Sequence, residues 1–173
     1  DTVLGRAVAI KTIDLRSLRD ESGAARFERE ARATAGLSNP NVVTVHDSGV
    51  EGDTAYIVME LLPGPSLAER LVEGPLPVEE VVEVGRQVAS ALDAAHARGL
   101  VHRDVKPANI LIADPDGEEH VYLTDFGLSV PTTGQAARGD RAAGWAGTLS
   151  YLSPEQIDGG PLDARTDVYA LGC

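Results

Sequence analysis

At 173 residues and 43% hydrophobic content, the chain is long enough to bury one good-sized core. A net charge of −12 argues against general nucleic-acid binding, and a single cysteine, Cys173, excludes an internal disulfide or a cysteine-based zinc site. No apolar run approaches bilayer length and no signal peptide is visible, so no membrane contact is expected within this segment.

In chain order, Arg6 to Asp14 alternates apolar and β-branched residues and predicts a strand. Glu21 to Leu37 is rich in Ala and Arg at helical spacing, and Ser38-Asn39-Pro40-Asn41 ends it. Val42 to Val50 and Thr54 to Glu60 predict two strands around Glu51-Gly52-Asp53, a hairpin signal. Leu61 to Pro65 carries no periodicity and reads as a connector, after which Ser66 is placed to cap a short helix over Leu67 to Val72. A long helix is predicted from Val78 to Arg98, with Val81, Val84, Val88, Leu92 and Ala95 on one face and Gly99 just past its end. Short strands over Ile110 to Ala113 and Val121 to Thr124 flank a turn at Asp114-Pro115-Asp116-Gly117. Pro131 to Gly147 is weakly patterned. The chain opens on Asp1 and stops inside the apolar run that ends at Cys173, so it is expected to be part of a longer domain.

Thirteen of the fifteen basic residues are arginine; the lysines are Lys11 and Lys106. Lysine kept to two places suggests sites that need a compact ammonium rather than a guanidinium fork. Lys106 lies in His102-Arg103-Asp104-Val105-Lys106-Pro107-Ala108-Asn109, a loop with a carboxylate, an ammonium and an amide within six residues. Asp125-Phe126-Gly127 follows the next strand. Val8-Ala9-Ile10-Lys11 sits on the first strand, Glu30 on the first helix, Ser153-Pro154-Glu155 thirty residues after Asp125, and Asp167 at the start of the last helix. In this order, and on these types of element, the motifs resemble those of the protein kinase family, in its bacterial, eukaryote-like Ser/Thr branch. Asp1 to Arg6 and Gly99 to His102 are similar to actinobacterial members.

The resemblance implies an α+β, bilobal fold, present in part: a smaller lobe over residues 1–60 without its Gly-rich loop strands, a hinge at 61–65, and a larger lobe over 66–173 without its last helices. It implies ATP and Mg²⁺ (or Mn²⁺) as cofactors and a protein bearing Ser or Thr as substrate. Asp104 would orient the substrate hydroxyl, Lys106 would steady the transferring phosphoryl group, and Lys11, ion-paired with Glu30, would hold the phosphates. Asn109 and Asp125 would bind metal. Glu28 shares the helix with Glu30, and the surface-carboxylate reading stands beside the functional one. Ala9 and Leu111 would enclose the adenine, the backbone of Glu60 and Leu62 would bond it, and Met59 would stand behind it. Ser66 would meet the ribose or serve only as a helix cap. Thr132 and Thr133 are the candidate phosphorylation sites of the activation segment, to be gripped by Arg103. Thr148 is expected beside the catalytic loop, and Glu155 pairs with an arginine beyond this chain.

His102 is expected to pack rather than act as a base; His46, His96 and His120 have no metal-ligand spacing; Trp145 packs locally or faces a partner. Arg16, Arg19, Arg26, Arg29 and Arg32 read as a solvated face, with a phosphate site as the minority reading. A P-loop nucleotidase is excluded, because neither lysine follows a glycine. A small-molecule kinase is disfavoured by Gly147 to Glu155, which resembles a peptide-docking segment. The alternative from another class is a pseudokinase or interaction module without turnover, and the isolated fragment is expected to be inactive. A cytoplasmic location is expected, with any membrane tether outside this chain.

Overall fold

Alternation of inward and outward side chains along Val8–Asp14 makes β1, in which Ala9, Lys11 and Ile13 turn inward while Ile10 and Thr12 face out. β1 pairs antiparallel with β3 (Thr54–Glu60), and β3 pairs antiparallel with β2 (Val45–Glu51), giving the order β1-β3-β2. The β2–β3 hairpin closes at Gly52, whose φ of 57° suits the tight turn. The structure, a computed structural model, describes residues 1, 4–17, 23–114, 119–126 and 149–173.

Helix α1 (Gly23–Ala35) lies on this sheet, burying Phe27 and Ala31 against Ala55 and Ile57. Residues four apart share a helix face, which explains why this pair is buried while Glu28 and Arg29 stay exposed. The helix ends at Ala35, two residues short of the predicted Leu37, and the predicted start at Glu21 lies outside the described residues.

The larger core forms around α3 (Val78–His96), where Val88, Ala91, Leu92 and Ala95 are buried against Leu100, Val105 and the hairpin of β4 (Ile110–Ala113) and β5 (His120–Leu123). Side chains the size of Val88 and Leu92 each contribute about 1.5–3 kcal/mol on full burial. Val81, expected on the buried face, is 53% exposed, because the contacts of α3 begin nearer its middle. Gly99, with φ 71°, ends the helix region as expected. Helices α2 (Leu67–Val72), α4 (Pro154–Asp158) and α5 (Ala164–Gly172) complete the described α-helices.

Val42 and Val43 do not join β2 as predicted. They run beside β5 instead: Val42 bridges Leu123 in parallel, Val43 N–H donates to Leu123 O, and Leu123 N–H donates to Asn41 O at 2.8 Å. The buried Asn41 side chain donates to Gln87 Oε1 (2.8 Å) and Val121 O (3.0 Å), tying this segment to both α3 and β5. The connector 61–65 is also pinned. Ile112 N–H donates to Pro65 O, and a Cβ on Gly64 (φ 154°) would stand 2.0 Å from Ile112 O, so the backbones touch only because residue 64 is glycine.

Candidate active site

The turn after α3 leads into His102–Asn109, and a buried carboxylate shapes it. Asp167, at the start of α5, is wholly buried and accepts the backbone N–H of His102 (2.8 Å) and of Arg103 (2.7 Å). His96, on the last turn of α3, places Nε2 2.7 Å from the same carboxylate. Arg103 is thereby held at φ 70°, a left-handed conformation that costs a non-glycine residue about 1–3 kcal/mol.

Beyond this bend the polar groups of the loop meet one another. Lys106 Nζ lies 2.8 Å from Asp104 Oδ2. Asn109 donates through Nδ2 to Asp104 O (2.7 Å) and Asp104 Oδ2 (3.0 Å), which leaves its amide oxygen as the atom able to meet a cation. Thr124 N–H donates to Asn109 O, so the residue before Asp125 is laced to the loop carrying Asp104. Asp125 has φ 66° and sits 2.8 Å from Lys11 Nζ. Lys11, on β1, and Asp104, on the loop before β4, thus approach one site from two sides.

His102 does more than pack. Its ring lies 4.7 Å from that of Phe126, yet it also bonds at both nitrogens. Nδ1 accepts Asp104 N–H (3.2 Å), which fixes the tautomer in which Nε2–H donates to Thr124 O (2.7 Å). The neutral imidazole therefore links the residue before Asp125 to Asp104. Burial lowers the His102 pKa, partly opposed by the bond to Thr124 O. Because the folded pKa lies below the unfolded one, the unfolded chain takes up a proton that the fold refuses once pH falls below about 6.5. Stability should then fall by up to about 1.4 kcal/mol per pH unit for this one group. Urea midpoints of wild type and His102→Phe, compared at about pH 7 and about pH 5, check it: the variant should be weaker but less pH-sensitive.

One expected pair is absent. Among the described ion pairs, Glu30 meets Arg103 Nη1 at 3.2 Å, not Lys11, whose partner is Asp125. Packing of Phe27 and Ala31 sets the rotation of α1 and directs Glu30, 12% exposed, toward Arg103. Glu28 faces solvent with Arg32, whereas Glu30 is largely buried against Arg103.

Ala9 and Met59 are cross-strand neighbours, and Met59 lines a small, largely apolar cleft with Thr34, Val43, Val45, Ile57, Leu123, Thr124, Asp125 and Phe126. Glu60 and Leu62 are half-buried at the start of the connector, and Leu111 bridges Ser66. Ser66 caps α2: its Oγ accepts Glu69 N–H, and its own N–H donates to Glu69 Oε2 at 2.7 Å. That backbone bond, with the hydroxyl, holds the Glu69 carboxyl below its usual pKa. Glu155 Oε1 accepts the Thr166 hydroxyl at 2.8 Å, and its carboxyl is lowered first by its own backbone N–H and then by Thr166.

Thr132, Thr133, Thr148, Gly127 and Trp145, with Arg19 and the side chain of Arg26, lie outside the described residues. Arg16, paired with Asp14, and Arg32 are exposed. His96 and His120 are bonded rather than isolated, His120 Nε2 lying 2.9 Å from Pro40 O. Sequence reasoning missed the His96–Asp167 bond because 71 residues separate the partners and no local pattern marks them.

A family profile described as "Protein kinase domain" matches residues 2–173. Serine/threonine-protein kinase PknL of Mycobacterium bovis is 49% identical over 180 residues, covering 99% of this chain and 42% of that protein. Serine/threonine-protein kinase PrkC of Bacillus subtilis is 39% identical over 173 residues, covering 99% of this chain and 26% of that protein. The crystal structure of the Mycobacterium tuberculosis PknI kinase domain superposes with a TM-score of 0.76 at 32% identity, over 95% of this chain and 60% of that one. The chain thus spans less than half the length of these full-length relatives and part of a kinase domain. It belongs to the protein kinase family.

Proposed function

We propose that the protein carrying this chain transfers the γ-phosphoryl group of ATP to Ser and Thr hydroxyls of proteins. The observation that carries the reading is the mutual engagement of Asp104, Lys106 and Asn109, with Lys11 and Asp125 beside them. Asp104 orients the hydroxyl and accepts its proton as the oxygen attacks phosphorus and the bond to the β-phosphate oxygen breaks. Lys106 sits on the Asp104 carboxylate, where a compact cation steadies negative charge on the transferring group. Lys11 holds the α- and β-phosphates, and Glu30 orients it once it has exchanged Arg103 for Lys11.

The donor chemistry fits magnesium. Among the described residues, no group of three or more His, Cys, Asp or Glu side chains could hold a metal by itself. Mg²⁺ sheds water reluctantly and is typically bound by one or two carboxylates plus substrate phosphates, so Asp125 with the neutral oxygen of Asn109 suffices. When bound, the ion would neutralise phosphate charge.

Ala9 and Leu111 would enclose the adenine, with Met59 behind it and the backbone of Glu60 and Leu62 as its partners. Ser66 is committed to its cap before any ribose. Residues 61–65 serve as the hinge between lobes 1–60 and 66–173. Thr132 or Thr133 accepts the activating phosphate. The site works where ATP is abundant, in the cytoplasm; among the described residues no helix is long and apolar enough to cross a membrane. The pseudokinase alternative has no support in these positions, since the motif residues for chemistry that fall within this chain are in place. Incubation of the full-length protein with γ-labelled ATP and Mg²⁺ tests the reading: label should pass to protein Ser or Thr. Binding of ATP without transfer would overturn it.

A further inference from the structure

The peptide that joins Arg103 to Asp104 is gripped at both polar ends. Its N–H, on Asp104, donates to His102 Nδ1 at 3.2 Å. Its carbonyl, on Arg103, accepts Gln156 Nε2 at 2.8 Å. Gln156 belongs to α4, 53 residues further along the chain, and its side chain bonds through both its nitrogen and its oxygen. Gln156 Oε1 accepts Ser153 N–H at 3.0 Å, the N3-to-N-cap half of a capping box at the start of α4. Next to it, Glu155 anchors the same short helix to Thr166 of α5.

From this geometry we infer that Gln156 is a positioning residue for phosphoryl transfer, setting the rotation of the 103–104 peptide and hence the aim of the Asp104 carboxylate. Arg103 occupies a left-handed conformation that persists only where its surroundings over-determine it. Asp167 fixes the peptide before Arg103 through the Arg103 N–H, and Gln156 fixes the peptide after it. With the second hold removed, only the longer bond to His102 resists rotation of the plane that carries Asp104. Because the hold comes from α4, movement of residues 153–158 is passed directly to the catalytic loop. The inference rests on the reading of Asp104 as the group that orients the hydroxyl.

Gln156→Glu separates positioning from folding. Glutamate keeps the oxygen that accepts Ser153 N–H, and it is a favoured residue at that point of a capping box, so α4 should persist. It loses the donor to Arg103 O and sets a carboxylate oxygen against a carbonyl. Protonation of the new carboxyl restores a donor, and its pKa should lie above the ordinary value of about 4.3 because the charged form is the disfavoured one.

The experiment measures kcat and KM for ATP in the full-length protein, by autophosphorylation with labelled ATP, across a pH series. Wild type, Gln156→Glu, Gln156→Met and Asp104→Asn are compared, with thermal unfolding of each. A misdirected catalytic group costs on the order of 10- to 100-fold, so kcat of Gln156→Glu should fall by about that much with KM little changed. Its kcat relative to wild type should recover as pH is lowered, while Gln156→Met, which has nothing to protonate, should stay low at every pH. An unaltered kcat in Gln156→Glu would overturn the inference. So would a loss without pH recovery that follows a matching loss of thermal stability, since that marks a purely structural role. If Asp104→Asn keeps its activity, the reading of the site fails instead, and the two failures are distinct.

Discussion

Replacing Asp104 with Asn in the full-length protein is expected to slow phosphoryl transfer by about 10²- to 10⁴-fold, the usual contribution of a positioned general base. The substitution is close to isosteric. The amide oxygen it introduces can still accept Asn109 Nδ2, and the backbone bonds at Asp104 O and N–H are untouched. What disappears is the negative charge that pairs with Lys106 and would receive the hydroxyl proton. The fold should survive, because the near-isosteric amide keeps the bond to Asn109 and the backbone bonds of the loop. ATP affinity should stay near that of wild type, since Asp104 is assigned to the hydroxyl and not to the nucleotide. Single-turnover rates at saturating ATP, beside an equilibrium nucleotide titration, check both halves. A variant with weakened ATP binding and an ordinary rate would reassign Asp104 to the nucleotide.

Lys11→Met is expected to cost a factor of about 10² to 10³ or more, by removing charge stabilisation from the transferring phosphates. Lys11 is one of two lysines in the chain, its side chain is 39% exposed, and its partner is Asp125 at 2.8 Å. An ion pair this exposed contributes little to stability, so thermal unfolding should shift only slightly. ATP affinity should weaken as well, unlike in the Asp104 variant. The measurement is kcat and KM for ATP by autophosphorylation, and a near-parental rate would remove Lys11 from the site.

Much of this was legible in the sequence because it is local. β1 and β3, α2 with its Ser66 cap, the limits of α3 to within two residues and the β4–β5 hairpin follow from periodicity and turn residues within short windows. The meeting of Asp104, Lys106 and Asn109 was legible for the same reason, being confined to one loop. Partners brought together by packing were not. Val42 and Val43 read as the start of β2, but β5, some eighty residues later, offers them its backbone. Val81 shares the helical face of Val88, yet exposure depends on where neighbouring elements reach along α3. The partner of Glu30 turns on the rotation of α1, set by Phe27 and Ala31, and two cations were available to it. Gln156 looks in sequence like any residue in the first turn of a helix, and its bond to Arg103 O exists only in the fold.

The central claim is transfer of phosphate from ATP to Ser or Thr through Asp104, and phosphoamino-acid analysis tests it most directly. The full-length protein and its Asp104→Asn variant, each shown to bind ATP with Mg²⁺, are incubated with γ-labelled ATP, hydrolysed, and the labelled residues separated. Labelled phosphoserine or phosphothreonine from the wild type, with almost none from the variant, is the predicted result. Label confined to phosphotyrosine, or equal labelling of both proteins, would contradict it.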